Sequence, residues 1–468
     1  MFYGRVEELE FLEKEFEKQR SSFVVLYGRR RVGKTTLIKE FIKDKDAVYF
    51  LASEEIENEN KKILIEKIAK FTKQEYLKKA TFSKWDDIFE VFVKYKENQK
   101  KIIVIDEFQY LIFANSAFSS MFQRIWDEKL KDEKVMVIIC GSYMGMMLKE
   151  TLSYSSPLYG RRTGQIKLKG LKFRDVNKFY KTKDIEKLIN FYSVTGGVPK
   201  YIEIMNENEN LMESIKENIL YKGSFLYDEP VFLMEKEVNE VGSYFSILKA
   251  IAKGNHKLSD IACVLEISSQ KIMPYLKVLI DMGVVEKRLP ITEEYPEKSR
   301  KGLYYIKDNF ISFWFRFVFE NKGELEIGNM DYVVNEIKSK IIKNHASYIY
   351  EDIAREILWE ENSQDILPFR FLKLGSYWEK NIEIDIVGMN KEKLLVGECK
   401  YTDQKIDTDL FYDLKRKVEN VKKLNDYKYK SYVFFSINGF TKEIKVLAKK
   451  RGDILLYEGI VNCDVTYK

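Results

Sequence analysis

A strand, a glycine-bounded loop and a helix in immediate succession constrain this chain more than any other feature. The stretch SFVVLYGRRRVGKTTLIKEF holds an apolar run, Phe23 to Tyr27, followed by G-x-x-x-x-G-K-T and then helix-period residues from near Lys34. Glycines in such a loop let backbone N–H groups turn inward around a phosphate, and the helix behind it aims the positive end of its dipole at the same point. The pattern predicts an ATP site over Gly28, Arg29, Arg30, Arg31, Val32, Gly33, Lys34, Thr35 and Thr36. Lys34 would reach the β- and γ-phosphates and the Thr35 hydroxyl would ligate Mg²⁺.

The other half of such a site is a carboxylate at the end of a second buried strand, and KKIIVIDEFQYL supplies it. Ile102 to Ile105 is a continuous apolar run of the kind buried on both faces of a parallel sheet. Asp106 would hold Mg²⁺ through water, and Glu107 would orient and deprotonate an attacking water. Val135 to Tyr143 reads as a third such strand, with Ser142 at its tip placed to sense a γ-phosphate or simply to end the strand as a turn residue.

These motifs resemble the AAA+-like and STAND-related ATPases, in particular an archaeal and bacterial family that opens with F-x-G-R-x-x-E. Here that segment is FYGRVEELEFL, Phe2 to Leu12, which in such proteins packs near the adenine. The resemblance runs on through SPLYGRRTGQIKL and TGGVPKYI and covers most of the first 220 residues. It implies that Arg161 and Arg162 are candidates for an arginine finger or phosphate sensor; spacing alone fits two solvated surface arginines as well. A finger acting between subunits would require a homo-oligomer. Gly196, Gly197 and Pro199 are expected to form the turn into a helical lid.

Beyond the lid, helical periodicity repeats three times, through Ile247 and Ile251, Ile261 and Leu265, and Ile272, Leu276 and Leu279. Gly283 ends the last helix, VVEKRLPI reads as a strand, and KGLYYI returns as its partner, the order of a winged helix. In a DNA reader the third helix would face the major groove with Ser268, Ser269, Gln270, Lys271 and Lys277. In the family resembled, winged helices also serve as lids or protein contacts, so both roles stay open. YIKDNFISFWFRFVFE, aromatic at helical spacing, is expected to pack against the ATPase.

The last part of the chain reads as helix (ASYIYEDIAREILWE), one or two strands (FRFLKLGSYWEKNIEIDIVGMN), strand (EKLLVGECKYT), helix (YDLKRKVENVKKL) and a final strand (KYKSYVFFSI). Alternation along a strand puts Glu398 and Lys400 on one face and Cys399 on the other. Asp385, at the end of the neighbouring strand, can meet Glu398 to make a hard oxygen site for Mg²⁺ or Mn²⁺, with Lys400 beside the water and phosphate. In element order and motif the region resembles the PD-(D/E)XK superfamily of restriction-endonuclease-like domains, and that resemblance implies a further acidic position at Glu351. The rival expectation is a domain of this shape that binds without cutting.

A chain of 468 residues, 45% hydrophobic and 32% charged, is too long for one core. We expect a P-loop NTPase of the ASCE or AAA+-like type with a parallel sheet at residues 1–170, a helical lid at 171–235, a winged helix at 236–320 and a restriction-endonuclease-like α/β domain at 321–468. The 79 Lys and Arg nearly balance 73 Asp and Glu, so a DNA-binding surface must be local. Scattered cysteines, two histidines and an acidic amphipathic N-terminus predict a cytoplasmic protein without a membrane partner. The expected function is an ATPase that couples a winged helix to a metal-dependent nuclease acting on DNA; the alternative is an ATP-driven switch or interaction protein with an inactive C-terminal domain.

Overall fold

The apolar runs that carry the nucleotide motifs become inner strands of a parallel sheet. In the computed structural model, which describes residues 2–180, 182–205, 210–238 and 240–463, the sheet comprises β1 (Ser22–Tyr27), β2 (Ala47–Leu51), β3 (Lys101–Asp106), β4 (Val135–Gly141) and β5 (Gly164–Lys167) in the order β2-β3-β4-β1-β5, so β1, β3 and β4 are the inner strands. Every pairing is parallel. Successive side chains enter opposite cores. Phe23, Val25, Ile103, Ile105, Val137 and Ile139 face the helices that carry Phe89, Phe118 and Phe122. Val24, Leu26, Ile102, Val104, Met136 and Ile138 face Leu37, Ile38 and Phe41 of the helix Lys34–Ile42. Each such side chain contributes about 1.5–3 kcal/mol by leaving water, so neither face can be exposed.

The chain divides into two compact units. The first comprises Met1–Leu171 with Gly197–Lys200 and Phe232–Asn239; the second comprises Lys172–Gly196, Tyr201–Val231 and Glu240–Lys468. The segment expected as one lid is therefore split. Helix Ile185–Thr195 packs in the second unit, where the Ser193 carbonyl accepts from His345 Nε2 at 2.7 Å. The turn after it returns to the first unit, where the Gly197 carbonyl accepts from Leu171 N at 2.6 Å. A Cβ at Gly197 would stand 2.0 Å from the Leu171 carbonyl oxygen, so only glycine allows this approach.

In the second unit the three expected helices form at Val241–Ala252, Leu258–Leu265 and Ser269–Asp281, followed by the antiparallel wing of β6 (Val285–Arg288) and β7 (Leu303–Ile306). The aromatic segment follows as helix Asn309–Phe313 and a continuing helical turn, Trp314–Phe319. Within the second unit this segment packs on residues from distant parts of the chain. Phe310 meets Tyr201, Trp314 and Phe315 meet Phe245, and Trp314 Nε1 donates to the Tyr227 carbonyl at 2.7 Å, all within the second unit. Periodicity marked a buried helix and could not say which core it enters.

A six-stranded sheet closes the chain, built from β8 (Lys373–Glu379), β9 (Ile382–Met389), β10 (Lys393–Lys400), β11 (Tyr429–Ser436), β12 (Ile454–Glu458) and β13 (Val461–Asn462) in the order β13-β12-β11-β10-β9-β8. Helix Ser347–Ser363 packs on β8, β9 and β10, and helices Thr408–Glu419 and Lys442–Arg451 enclose the core of Leu394, Val396 and Phe434. β11 is not the last strand, as the sequence reading had it. The missed β12 is a five-residue run between Gly452 and Gly459, both at positive φ, and is recognisable only as the neighbour of β11.

Trp314 is fully buried. Trp314→Ala is expected to cost about 3–5 kcal/mol, read as a lower denaturation midpoint for the second unit; an unchanged midpoint would show that the aromatic core is not what holds it.

Candidate nucleotide and metal sites

The loop after β1 approaches its neighbours more closely than any side chain would permit. A Cβ at Gly28 would lie 2.4 Å from the Leu168 carbonyl oxygen, and Gly33 has φ 94°. Arg5 fixes the loop from the expected F-x-G-R segment: its Nη2 donates to the carbonyls of Val32 at 2.9 Å and Lys169 at 2.6 Å. Lys34 Nζ donates to the carbonyls of Gly28 at 2.8 Å and Arg29 at 2.9 Å. Burial pulls its ammonium below the ordinary lysine range. Arg30 lies over the Tyr143 ring at 5.4 Å, while Thr36 is exposed in the first turn of the helix.

Residues on or just after three strands, β2, β3 and β4, converge beside this loop. Thr35 Oγ1 donates to Asp106 Oδ2 at 2.9 Å, and Tyr49 OH from β2 donates to the same oxygen at 2.5 Å. Glu107 stands at φ 55°, a left-handed conformation that a glutamate adopts only under constraint. Its Oε2 accepts from Ser142 Oγ at 2.9 Å and, more closely, from Gln109 Nε2. Thus Lys34, Thr35, Asp106, Glu107 and Ser142 are brought together. Tyr49 and Gln109 carried no motif and were missed, and Arg5, although part of the F-x-G-R segment, was not singled out.

Glu237 was missed as well. It comes from Phe232–Asn239, far along the chain, and accepts from Met144 N at 3.2 Å. Burial raises its carboxyl above the usual range, against the opposing charges of Arg30 and Lys34. Arg161 and Arg162 part company. Arg161 is clamped on Asp127, with Nε–Oδ1 at 3.0 Å and Nη2–Oδ2 at 2.8 Å, and also donates to the Pro157 carbonyl. Arg162 lies over Tyr159 at 5.5 Å with a buried Nη1 that has no hydrogen-bond partner.

In the second unit Asp385, Glu398, Lys400 and Glu351 also fall in one region. Ladder pairing of β9 and β10 ends at Ile386 and Gly397, and beyond it Asp385 Oδ2 accepts from Cys399 N at 2.9 Å. Burial and then the Glu398 charge raise the Asp385 carboxyl; burial and then the Asp385 charge raise that of Glu351. Asp385 is thus the common neighbour of both acids. Glu398, 2% exposed, is gripped from both sides by Lys400 Nζ at 2.8 Å and Lys417 Nζ at 2.6 Å. Lys417 comes from helix Thr408–Glu419 and was not foreseen. Arg355 Nη1 donates to the Asp385 carbonyl at 2.6 Å, one helical turn beyond Glu351. Among the described residues no three His, Cys, Asp or Glu side chains converge as a ready metal cage, and no helix is long and apolar enough to cross a membrane.

The fold and first site define a P-loop ATPase domain. A family model described as an ATPase domain predominantly from Archaea matches residues 2–205. One described as bacterial regulatory protein, arsR family, matches 245–287, and one described as archaea bacterial proteins of unknown function matches 314–411. Uncharacterized protein MJECL04 of Methanocaldococcus jannaschii is 39% identical over 464 residues, 98% of this chain and 99% of that protein. Uncharacterized ATP-binding protein MJ0423 of the same organism is 56% identical over 45 residues, 10% of this chain and 76% of that one. Among solved structures, the Walker-type ATPase paby2304 of Pyrococcus abyssi shares the fold, with a TM-score of 0.51 and 20% identity over 67% of this chain and 96% of that chain. This chain belongs to the same family as Methanocaldococcus jannaschii MJECL04.

Because Lys34 is the buried cation of the loop, Lys34→Ala is expected to abolish ATP binding measured by calorimetry. Unchanged affinity would remove the loop from nucleotide recognition.

Proposed function

We propose that the first unit hydrolyses ATP and that the second acts on DNA as a divalent-metal-dependent nuclease. The observation that carries the second half is the placement of Asp385, whose Oδ2 accepts from Cys399 N beside Glu398 at the end of the β9–β10 ladder, where burial and then a neighbouring carboxylate raise the Asp385 and Glu351 carboxyls. Such crowding is what a site looks like when a bound cation is part of its charge balance, and a pair of hard oxygen donors fits Mg²⁺ or Mn²⁺. Held by Asp385 and Glu398, that cation would supply positive charge to the attacked phosphodiester and acidify a bound water. Lys400, its ammonium already at Glu398, would turn toward the water and the phosphate oxygens. Glu351 would bear on the same centre through Asp385.

At the nucleotide site Lys34 would compensate the β- and γ-phosphates, and Thr35 with Asp106 would hold Mg²⁺, whose charge the phosphates need in the transition state. Glu107 would take the proton of the attacking water, with Ser142 and Gln109 orienting its carboxylate. Arg162, unlike the clamped Arg161, retains a donor for a phosphate oxygen, supplied within the subunit or across a homo-oligomer. DNA would be engaged by helix Ser269–Asp281, on which Gln270, Lys271 and Lys277 are exposed, with Ser268 exposed just before it. Lysine contacts of this kind release counterions from the phosphate backbone.

A second reading has its own observation. Both oxygens of Glu398 are occupied by Lys400 and Lys417, a buried triad that balances its own charge and would suit an ATP-driven switch with a non-cutting domain.

Glu107→Gln should lower ATP turnover by about 10²–10⁴ while ATP still binds; unchanged steady-state hydrolysis would remove Glu107 from the mechanism. With Mg²⁺ or Mn²⁺, the wild-type chain should cleave single- or double-stranded DNA, and Asp385→Ala or Glu398→Ala should each abolish cutting while leaving ATPase activity intact. If the wild type cuts nothing and titration detects no Mn²⁺ binding, the switch reading stands instead.

A further inference from the structure

The second unit contains a cavity of about 600 Å³ walled by the winged helix, the aromatic helical turn and the C-terminal sheet. Its acidic lining is largely matched. Glu320 pairs with Lys253 at 2.8 Å and Lys249 at 3.3 Å, and Glu336 holds Lys340. Asp352 accepts from Arg288 at 2.7 Å and from Arg355 at 2.5 Å, and these two guanidinium groups hold its carboxyl below the usual carboxylate range. Glu351 faces Arg355 at 3.7 Å. Glu383 and Asp385 complete the acids of the wall.

The basic lining leaves one group over. Arg316, from the turn Trp314–Phe319, lines the cavity, and among the described residues no ion pair or hydrogen bond engages its guanidinium. Its Nε is fully shielded from solvent and lacks an acceptor. Burial pulls it below the ordinary arginine range, with Tyr348 opposing, and among the described residues no carboxylate pairs with it. The neighbours cannot serve. His345 Nε2 spends its proton on the Ser193 carbonyl, and burial together with Arg316 itself pushes the ring down to about 3, so it stays neutral. His256 stacks on Tyr305 at 4.1 Å, and Arg288 covers the same ring at 4.7 Å. Arg316 as a whole is half-buried, and shielding one N–H of a cation from water with no acceptor and no counter-charge is a costly arrangement. A fork of donors at the wall of a cavity this size matches the oxygens of a phosphate.

We infer that this cavity is a binding site for a phosphate group, anchored by Arg316 and distinct from the P-loop. The volume accommodates a nucleotide unit and excludes a duplex, so its sources are a free phosphate or mononucleotide, or the phosphorylated end of a single strand. The site does not depend on nuclease activity, although Glu351 and Asp385 line the same cavity.

The test uses the full chain carrying Lys34→Ala, so that the P-loop is silent. Inorganic phosphate, thymidine monophosphate, and a four-nucleotide thymidine strand with and without a 5′-phosphate are titrated calorimetrically at low ionic strength. Binding of at least one phosphate probe is expected, weakened tenfold or more by a further Arg316→Met and partly kept by Arg316→Lys. Preference for the 5′-phosphorylated strand over its unphosphorylated form assigns the source as a strand end; equal binding of the small probes assigns a free phosphate. Thermal melting supplies a readout that a structural arginine would not give. Without ligand, Arg316→Met should melt at or above the temperature of its parent, and phosphate should raise the parent's midpoint relative to chloride of equal ionic strength. A parent that neither binds any probe nor is stabilised by phosphate overturns the inference, as does an Arg316→Met chain that binds undiminished or melts several degrees lower.

Discussion

The first unit depends on the parallel register of β1, β3 and β4. Tyr27 is level with Gly141 and Ile105 with Ile139, so the chain leaves all three strands at one height. That height is where Lys34, Asp106, Glu107 and Ser142 stand. Because alternate side chains of each strand are buried on opposite faces, a slip by one residue would turn both cores inside out. It would also carry Asp106 about 3.3 Å away from Thr35. The strain at Glu107 is tolerated for the same reason: a sheet held on both faces over-determines the residue that follows it.

The second unit is organised by charge as much as by apolar burial. Arg288 of the wing joins Asp352, and Asp352 joins Arg355, whose other nitrogen holds the Asp385 carbonyl. One ionic chain thus ties the winged helix to helix Ser347–Ser363 and to the strand end that bears the candidate metal ligand. A shift of the wing would be felt at Asp385 through two guanidinium groups. Against this matched network stand Asp385, which makes no ion pair among the described residues, and the solitary Arg316. Departures from internal charge balance in an otherwise satisfied interior mark places where a ligand completes the structure.

The strand, loop and helix of the nucleotide half were legible in the sequence. Short-range order encodes it: a P-loop is one strand, one turn and one helix in succession, and Asp106 and Glu107 follow their own apolar strand. The three winged-helix helices and the two strands that carry Asp385, Glu398 and Lys400 were legible for the same reason, since periodicity and alternation are local. What the tertiary structure alone decided is which distant groups meet these residues. Tyr49 reaches Asp106 from another strand, Glu237 returns from more than 200 residues beyond the P-loop to cap the turn at Met144, and Lys417 closes on Glu398 from a helix whose lysines look alike in sequence. The split of residues 171–235 between the two units and the solitude of Arg316 belong to the same class. Partners across space are set by how whole elements pack, and no spacing along the chain records that.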